Sequence, residues 1–297
     1  MRVLRYVSGK GLFAVAVWGA SFVATRVALE SFNPFGLVAI RLWAGMLLLS
    51  GVLLARRGPL LPARRDVLTC VLLGCVLSVH LLMQAYGLKH TTAIHTGWIM
   101  GFIPVTIALG AHLLGQQRIG RVGWTGAAVG TAGVLTVMMS SPPNFHNARW
   151  GDLLQVVSCL TWTVYTLAGT GPVARNGVLR VTTFGMAVAA VVVSGAMLAT
   201  GVLSAAVTWR AVVTLVFLGP ICNGVAYYMW FAALDEHGPA RVGSLLYIEP
   251  FVALVTGALL LAEPVTAHAI VGGVCVLFGV WLVAHGSRRP AAAAMRN

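Results

Sequence analysis

The sequence predicts an all-α integral membrane protein of ten transmembrane helices, arranged as two inverted five-helix repeats with both termini cytoplasmic. Three observations predict it. Charged residues make up only 9% of the 297, and hydrophobic residues 59%. A soluble domain needs about 25% charged residues to dress its surface, so a soluble enzyme, a coiled coil and a disordered tail are all excluded. Apolar runs of crossing length, about 20 residues for about 30 Å of hydrocarbon, recur along the whole chain. The two halves also match each other without a gap at an offset of 146 residues.

The runs fall at about 12–30, 34–55, 67–88, 92–114, 122–140, 152–173, 181–203, 211–234, 240–261 and 267–285. They must be helical, because lipid offers backbone groups no partner. The first follows Arg2 and Arg5, as the apolar part of a cleavable signal would. Its length, and Trp18, Arg26 and Glu30 ahead of Pro34, make it an uncleaved span. The longest polar stretch, Ser140 to Gly151 with Pro142–Pro143, lies midway. The expected organisation is a first repeat over 1–140, a connecting loop over 141–149, a second repeat over 150–286 and a cytoplasmic tail over 287–297.

The net charge of +13 does not point to nucleic acid, because the basic residues sit singly or in pairs between apolar runs, as in Arg56–Arg57, Arg64–Arg65 and Arg288–Arg289. That is the pattern of cytoplasmic membrane loops. Of the 20 Lys and Arg residues, fifteen fall on the side of the N-terminus, Arg241 and Arg296 among them. Lys89, Arg149 and Arg210 fall on the other, and Arg26 and Arg41 lie within spans. The plasma membrane, the inner membrane of a bacterium, is the expected location. The five cysteines lie inside apolar runs with no C-x-x-C spacing, which suits neither a disulfide framework nor a zinc site. No cofactor or metal is expected.

The self-match places Met83 on Met229, Leu88 on Leu234, Gly97 on Gly243 and Pro104 on Pro250. It continues through Leu113–Leu114 on Leu259–Leu260, Gly126 on Gly272 and Gly133–Val134 on Gly279–Val280. Trp18 and Trp162 stand at a similar offset of 144. Five spans per half is an odd number, so the second half enters the membrane in the opposite sense. Inverted repeats are a hallmark of secondary transporters, with the substrate site near the midplane between them.

The motifs resemble a known family. The first span, VWGASFVATRVALES, resembles the W-G-x-x-F start of the drug/metabolite transporter superfamily, EamA type. NPFGLVAIRLWAG resembles its P-x6-R span, and LLYIEPFVALVTGALLLAEPVT its E-P stretch in the ninth. The resemblance implies ten helices in two EamA repeats that move small solutes across the plasma membrane, often as exporters. One departure is Gln116–Gln117, where the family has Gly-Glu; the second repeat keeps Ala262–Glu263.

Charge inside a membrane costs roughly 2.5–3.5 kcal/mol on insertion scales and is usually functional. Glu249 is the carboxylate in the middle of a span, about nine residues or roughly 13 Å in from Ala240. Its repeat partner is Ile103. It reads either as a site for a substrate amine or a coupling proton, or as a side chain bonded to a neighbouring helix. Arg41, roughly 10 Å in from Pro34, reads as a cavity residue, a partner of Glu249, a snorkelling side chain or, preferred, a structural ion pair or helix bond. Arg26 and Glu30, spaced i,i+4, read as a local ion pair.

His80 and Gln84 share a face of the third span; Ser158, Trp162 and Tyr165 of the sixth; Asn223, Tyr227 and Trp230 of the eighth; Trp18, Ser21 and Thr25 of the first. These stripes are candidates for a common lining. His80 also reads as a packing histidine, and His95 is a weaker candidate. Trp124, Trp150 and Trp209 suit interface anchors. Pro104 and Pro250, with Gly219–Pro220 (matched to Gly74), are expected bending points and candidate gates. The glycines around Gly126 and Gly272 permit close helix packing, within the chain or in a weak homodimer.

A competing class is an intramembrane enzyme. The chain contains no H-E-x-x-H, G-x-S-x-G or Walker A motif, and His146 and Asp152, read as sharing a loop, have no nucleophile nearby. A passive channel or lipid scramblase of the same fold is the other alternative. The expected function is alternating-access transport of a small metabolite such as an amino acid or amine, with protons as the coupling ion and export as the direction.

Overall fold

The computed structural model describes residues 8–139, 147–200, 202, 205–237 and 242–288. The expectations resting on Arg2, Arg5, Pro142–Pro143, His146, Ala240, Arg241, Arg289 and Arg296 lie outside the described residues, as does most of the 141–149 loop. The first repeat contains α1 (Gly9–Ala28), α2 (Pro34–Ala55), α3 (Arg64–His90), α4 (Ala93–Met100), α5 (Ile103–Leu113) and α6 (Arg121–Met139). The second contains α7 (Ala148–Asn176), α8 (Val178–Thr200), α9 (Trp209–Val216), a π-helical segment (Phe217–Ala226) and α10 (Tyr227–His237). A 3-10 turn (Ser244–Ile248), α11 (Glu249–Leu261) and α12 (Ala267–Gly286) follow.

Local sequence fixes several helix starts. Ser8, Asn33, Thr92 and Thr208 each accept a bond from the N–H three residues on, satisfying one of the donors a helix leaves open. Pro34 opens α2, where its missing N–H costs nothing.

Among the described residues, nine helical stretches are long and apolar enough to cross a membrane; Leu245–Leu261 is a shorter apolar helix. Three predicted spans are therefore not plain α-helices. The fourth is divided at Gly101–Phe102, the eighth carries the π-helical segment around Pro220, and the ninth begins as a 3-10 turn. Gly74, matched to Pro220, lies in an uninterrupted helix.

The two halves pack reciprocally. α2 lies on α8 and α6 on α12, each pair being matched elements. α7 packs on α3 as α1 packs on the π segment and α10. The α6–α12 contact is the closest. A Cβ on Gly133 would stand 2.6 Å from the Gly272 carbonyl oxygen, and one on Gly272 would stand 2.7 Å from that of Gly133. This glycine stripe is thus occupied within the chain. Arg118–Ile119 pairs antiparallel with Ser287–Arg288 at the end of the same helices. Leu113, Leu198, Trp209 and Leu259 are among the large apolar side chains left exposed on the outside, where lipid covers them.

Candidate functional site

The centre of the bundle contains a narrow cavity, part of it open to solvent. α1 contributes Trp18, Ser21 and Phe22, α2 Arg41, and α3 His80, Leu81 and Gln84. Met100 of α4, Ile103 of α5, Trp162 of α7, Tyr227 of α10, Leu246 of the 3-10 turn and Glu249 of α11 complete the lining. Four matched pairs of the internal repeat are among these: Trp18 with Trp162, Leu81 with Tyr227, Met100 with Leu246, and Ile103 with Glu249. The cavity therefore lies between the two halves, where each presents the same positions.

Its aromatic wall is one cluster. The Trp18 ring meets Trp162, Tyr227 and Trp230 with centroids 5.4, 5.3 and 5.3 Å away. Trp162 in turn stacks on Tyr165 at 5.6 Å and tilts against His80 at 5.1 Å. Aromatic pairs, edge-on as Trp18 with Trp162 and Tyr227 or stacked as Trp162 with Tyr165, each add about 0.5–1.5 kcal/mol beyond their buried area. Trp18 donates its indole N–H to the Cys222 carbonyl at 3.4 Å, while the indole nitrogens of Trp162 and Trp230 are buried with no partner among the described residues.

The two charges of the lining do not pair. Arg41, 3% exposed, donates from Nε to Asn223 Oδ1 at 3.0 Å and from a terminal nitrogen to Thr25 Oγ1 at 3.5 Å. Asn223 sits in the π-helical segment, whose extra residue per turn re-aims side chains at functional sites. Glu249, 5% exposed, opens α11 and lines the cavity. Among the described residues neither Arg41 nor Glu249 has an ion-pair partner within 4.0 Å, and the Glu249 carboxylate accepts no hydrogen bond. Of the readings open for Arg41, the pair with Glu249 is not formed, while bonds to neighbouring helices and a place in the cavity lining are both present. The backbone of Glu249 is held by close packing: a Cβ on Gly19 would lie 2.8 Å from its carbonyl oxygen.

Seven of the ten proposed site residues face this cavity: Trp18, Arg41, His80, Gln84, Trp162, Tyr227 and Glu249. Tyr165, Asn223 and Trp230 stand behind them, against Trp162, Arg41 and Trp18 respectively. His80 both lines the cavity and packs, since its Nδ1 lies 2.9 Å from Ser158 Oγ. Phe22, Leu81, Met100 and Leu246 were not among the predicted lining. They carry no polar mark in the sequence, although the offset of 146 relates Met100 to Leu246 and Leu81 to Tyr227.

Pro104 and Pro250 do not kink continuous helices as expected. Each occupies the first turn of a new one, α5 or α11, where the absent N–H is tolerated. The turn before each is tightened: Phe102 N–H bonds the Ile99 carbonyl, and Glu249 N–H bonds that of Leu246, three residues back in both cases.

A second polar cluster closes one end of the bundle. Arg26 reaches across to Glu263 at 3.7 Å and to the Thr91 carbonyl, instead of forming only the local pair with Glu30, which is exposed. Glu263 accepts from the N–H groups of Ala93 and Ile94 at 2.9 and 3.0 Å, capping α4 with a negative charge. Asp152 is not a loop residue; it is fully buried in α7 and binds Thr91 and His95. At the other end, Lys10 pairs with Glu236, and Arg175 and Asn176 bind Asp66.

Apolar helices of crossing length around a polar and aromatic cavity define a multi-pass membrane protein with an internal polar site. The EamA-like transporter family matches residues 10–139 and again 149–284, and the chain belongs to that family. It is similar to an uncharacterized transporter of Archaeoglobus fulgidus, 24% identical over 90% of this chain and 93% of that one. It is also similar to the uncharacterized inner membrane transporter YedA of Escherichia coli (strain K12), 26% identical over 93% and 90%. A solved crystal structure superposes with a TM-score of 0.68 at 20% identity, covering 93% of this chain and 95% of that one, which shows the fold. The protein is a multi-pass transporter of the plasma membrane, and a small molecule is its substrate.

Proposed function

We propose that the protein is a secondary transporter that exports a small organic metabolite by alternating access, with the central cavity as its substrate site. The observation that supports it best is the composition of that cavity: matched positions of two repeats meet there, with one uncompensated carboxylate, Glu249, among aromatic rings. In an inverted repeat, exchange of the two halves' conformations turns an inward-open cavity outward. On this reading the chain has ten spans, with repeats over 1–140 and 150–286 and both termini in the cytoplasm. Glu249 binds the cationic group of the substrate or the coupling proton, and competition between them at one carboxylate couples export to proton entry. Pro104 and Pro250 mark the joints at which the halves rearrange.

Purified protein in liposomes, screened by counterflow against metabolites, tests the reading. Saturable, gradient-coupled exchange is expected. Flux linear in concentration would make the protein a channel, and product formation an enzyme. Reporter fusions test the topology: one after Arg121 is expected to read cytoplasmic and one at Asn147 external.

A further inference from the structure

We propose that the end of the bundle where α6 begins and α12 ends binds the phosphate headgroup of an anionic phospholipid, through Arg118 and Arg121. The site is separate from the central cavity and holds whatever that cavity takes. Both arginines are exposed. Among the described residues, no carboxylate lies within 4.0 Å of either. At this end of the bundle Asp66 is taken by Arg175 and Glu236 by Lys10.

The internal repeat shows what is missing. Gln117, next to Arg118, falls on Glu263 at the offset of 146. In the second repeat Glu263 pairs with Arg26 and caps α4. In the first, the neutral Gln117 amide donates to the Ala108 carbonyl at 3.1 Å. The position that supplies a carboxylate to an arginine at one end of the bundle supplies none at the other.

The cations are also held in place. Besides Gln117, the loop is fixed by Ile119 N–H on His112 Nδ1 at 3.4 Å and Gly120 N–H on the Gly286 carbonyl at 2.8 Å. The strand pairing sets residue 288, a third arginine, at the position opposite Arg118, and like charges at opposed positions are unfavourable. α6 opens at Arg121 with no acidic residue in its first turn, so the positive end of its dipole adds to the arginines. An anion bound there relieves all three.

The surroundings select a lipid. Leu113 and Leu114 precede the arginines, Val122 and Trp124 follow them, and all four are exposed. Trp281 is exposed near the end of α12. Tryptophans of this kind mark the boundary between headgroups and hydrocarbon. The arginines therefore stand at headgroup depth, with apolar side chains beside them for the acyl chains. A phospholipid satisfies both; free phosphate satisfies only the arginines, whose planar forks match its oxygens. On the topology proposed above this is the cytoplasmic leaflet, where anionic lipids attract basic segments.

The test titrates the purified protein in detergent with phosphatidylglycerol, phosphatidylcholine or inorganic phosphate. Bound lipid is counted by native mass spectrometry, and the unfolding temperature is followed in parallel. Phosphatidylglycerol alone is expected to be retained and to raise the unfolding temperature, less so as salt is added. Arg118→Gln with Arg121→Gln is expected to weaken retention by about fivefold for each arginine removed. Arg57→Gln with Arg64→Gln, two exposed arginines of another loop on the same side, is expected to change nothing.

Equal retention of phosphatidylcholine, a salt-independent effect, undiminished retention in the first double variant or an equal loss in the second would each overturn the proposal. Stabilisation by inorganic phosphate alone would make this a soluble-anion site and overturn the lipid assignment. The carrier reading is tested separately by counterflow.

Discussion

The fourth and ninth hydrophobic stretches use the same backbone device and arm it differently. In each, a tightened turn precedes a new helix whose first turn contains a proline, Pro104 in α5 and Pro250 in α11. The residue before each proline lines the cavity, and the residue three positions earlier does so as well. In the first repeat that residue is Ile103 and in the second Glu249. Duplication preserved the joint, while the chemistry was placed on one side only. The difference teaches that pseudo-symmetry supplies the mechanics and its violation supplies the recognition.

The largest expected effect comes from removing that violation. Glu249→Gln keeps size and hydrogen bonding but not charge or titration. Gradient-driven transport in liposomes is expected to fall by more than about tenfold, the scale of a lost charge-assisted bond, and its pH profile to flatten. Ile103→Gln, at the matched position, is expected to leave the pH profile in place. Equal losses in both would mean that the cavity needs only shape.

Next come the joints. Pro250→Ala and Pro104→Ala restore the missing N–H and stiffen the transition between turn and helix. Severalfold slower turnover with unchanged binding is expected from stopped-flow exchange. Weakened binding at unchanged rate would make the prolines positioning elements.

A close-packed region away from the cavity lining should respond in stability alone. Gly133→Val would force α6 from α12, and overpacking costs about 1–3 kcal/mol. Thermal unfolding in detergent should shift accordingly, with substrate affinity retained. The smallest effect belongs to the aromatic wall. Trp18→Phe keeps a ring but loses the bond to the Cys222 carbonyl, and binding should weaken by about 0.5–1.5 kcal/mol.

Much of the helical architecture was legible in the sequence, because hydropathy and a fixed offset are linear signals. The helical stripes gathered Trp18, His80, Gln84, Trp162 and Tyr227 on one cavity because a face of a helix is a property of spacing alone. What failed needed the third dimension. Arg26 had Glu30 one turn away, but its helix end lies beside Glu263 of the other repeat. Asp152 looked like a loop residue, yet α7 starts four residues before it and buries it against His95 and Thr91. Arg41 and Glu249 were both located in depth, but depth does not say whether two charges touch. The π-helical segment that carries Asn223 to Arg41 left no signal except Gly219–Pro220.

The central claim is that the cavity between the repeats opens to each side of the membrane in turn. A single cysteine at Ser21, which lines the cavity, in a chain whose five native cysteines are replaced, reports this with a membrane-impermeant maleimide applied from either side of oriented vesicles. The account predicts labelling from both sides, slowed by saturating substrate, with no open path for small ions between them. Labelling from one side only, or a steady ion leak through the labelled site, would contradict it.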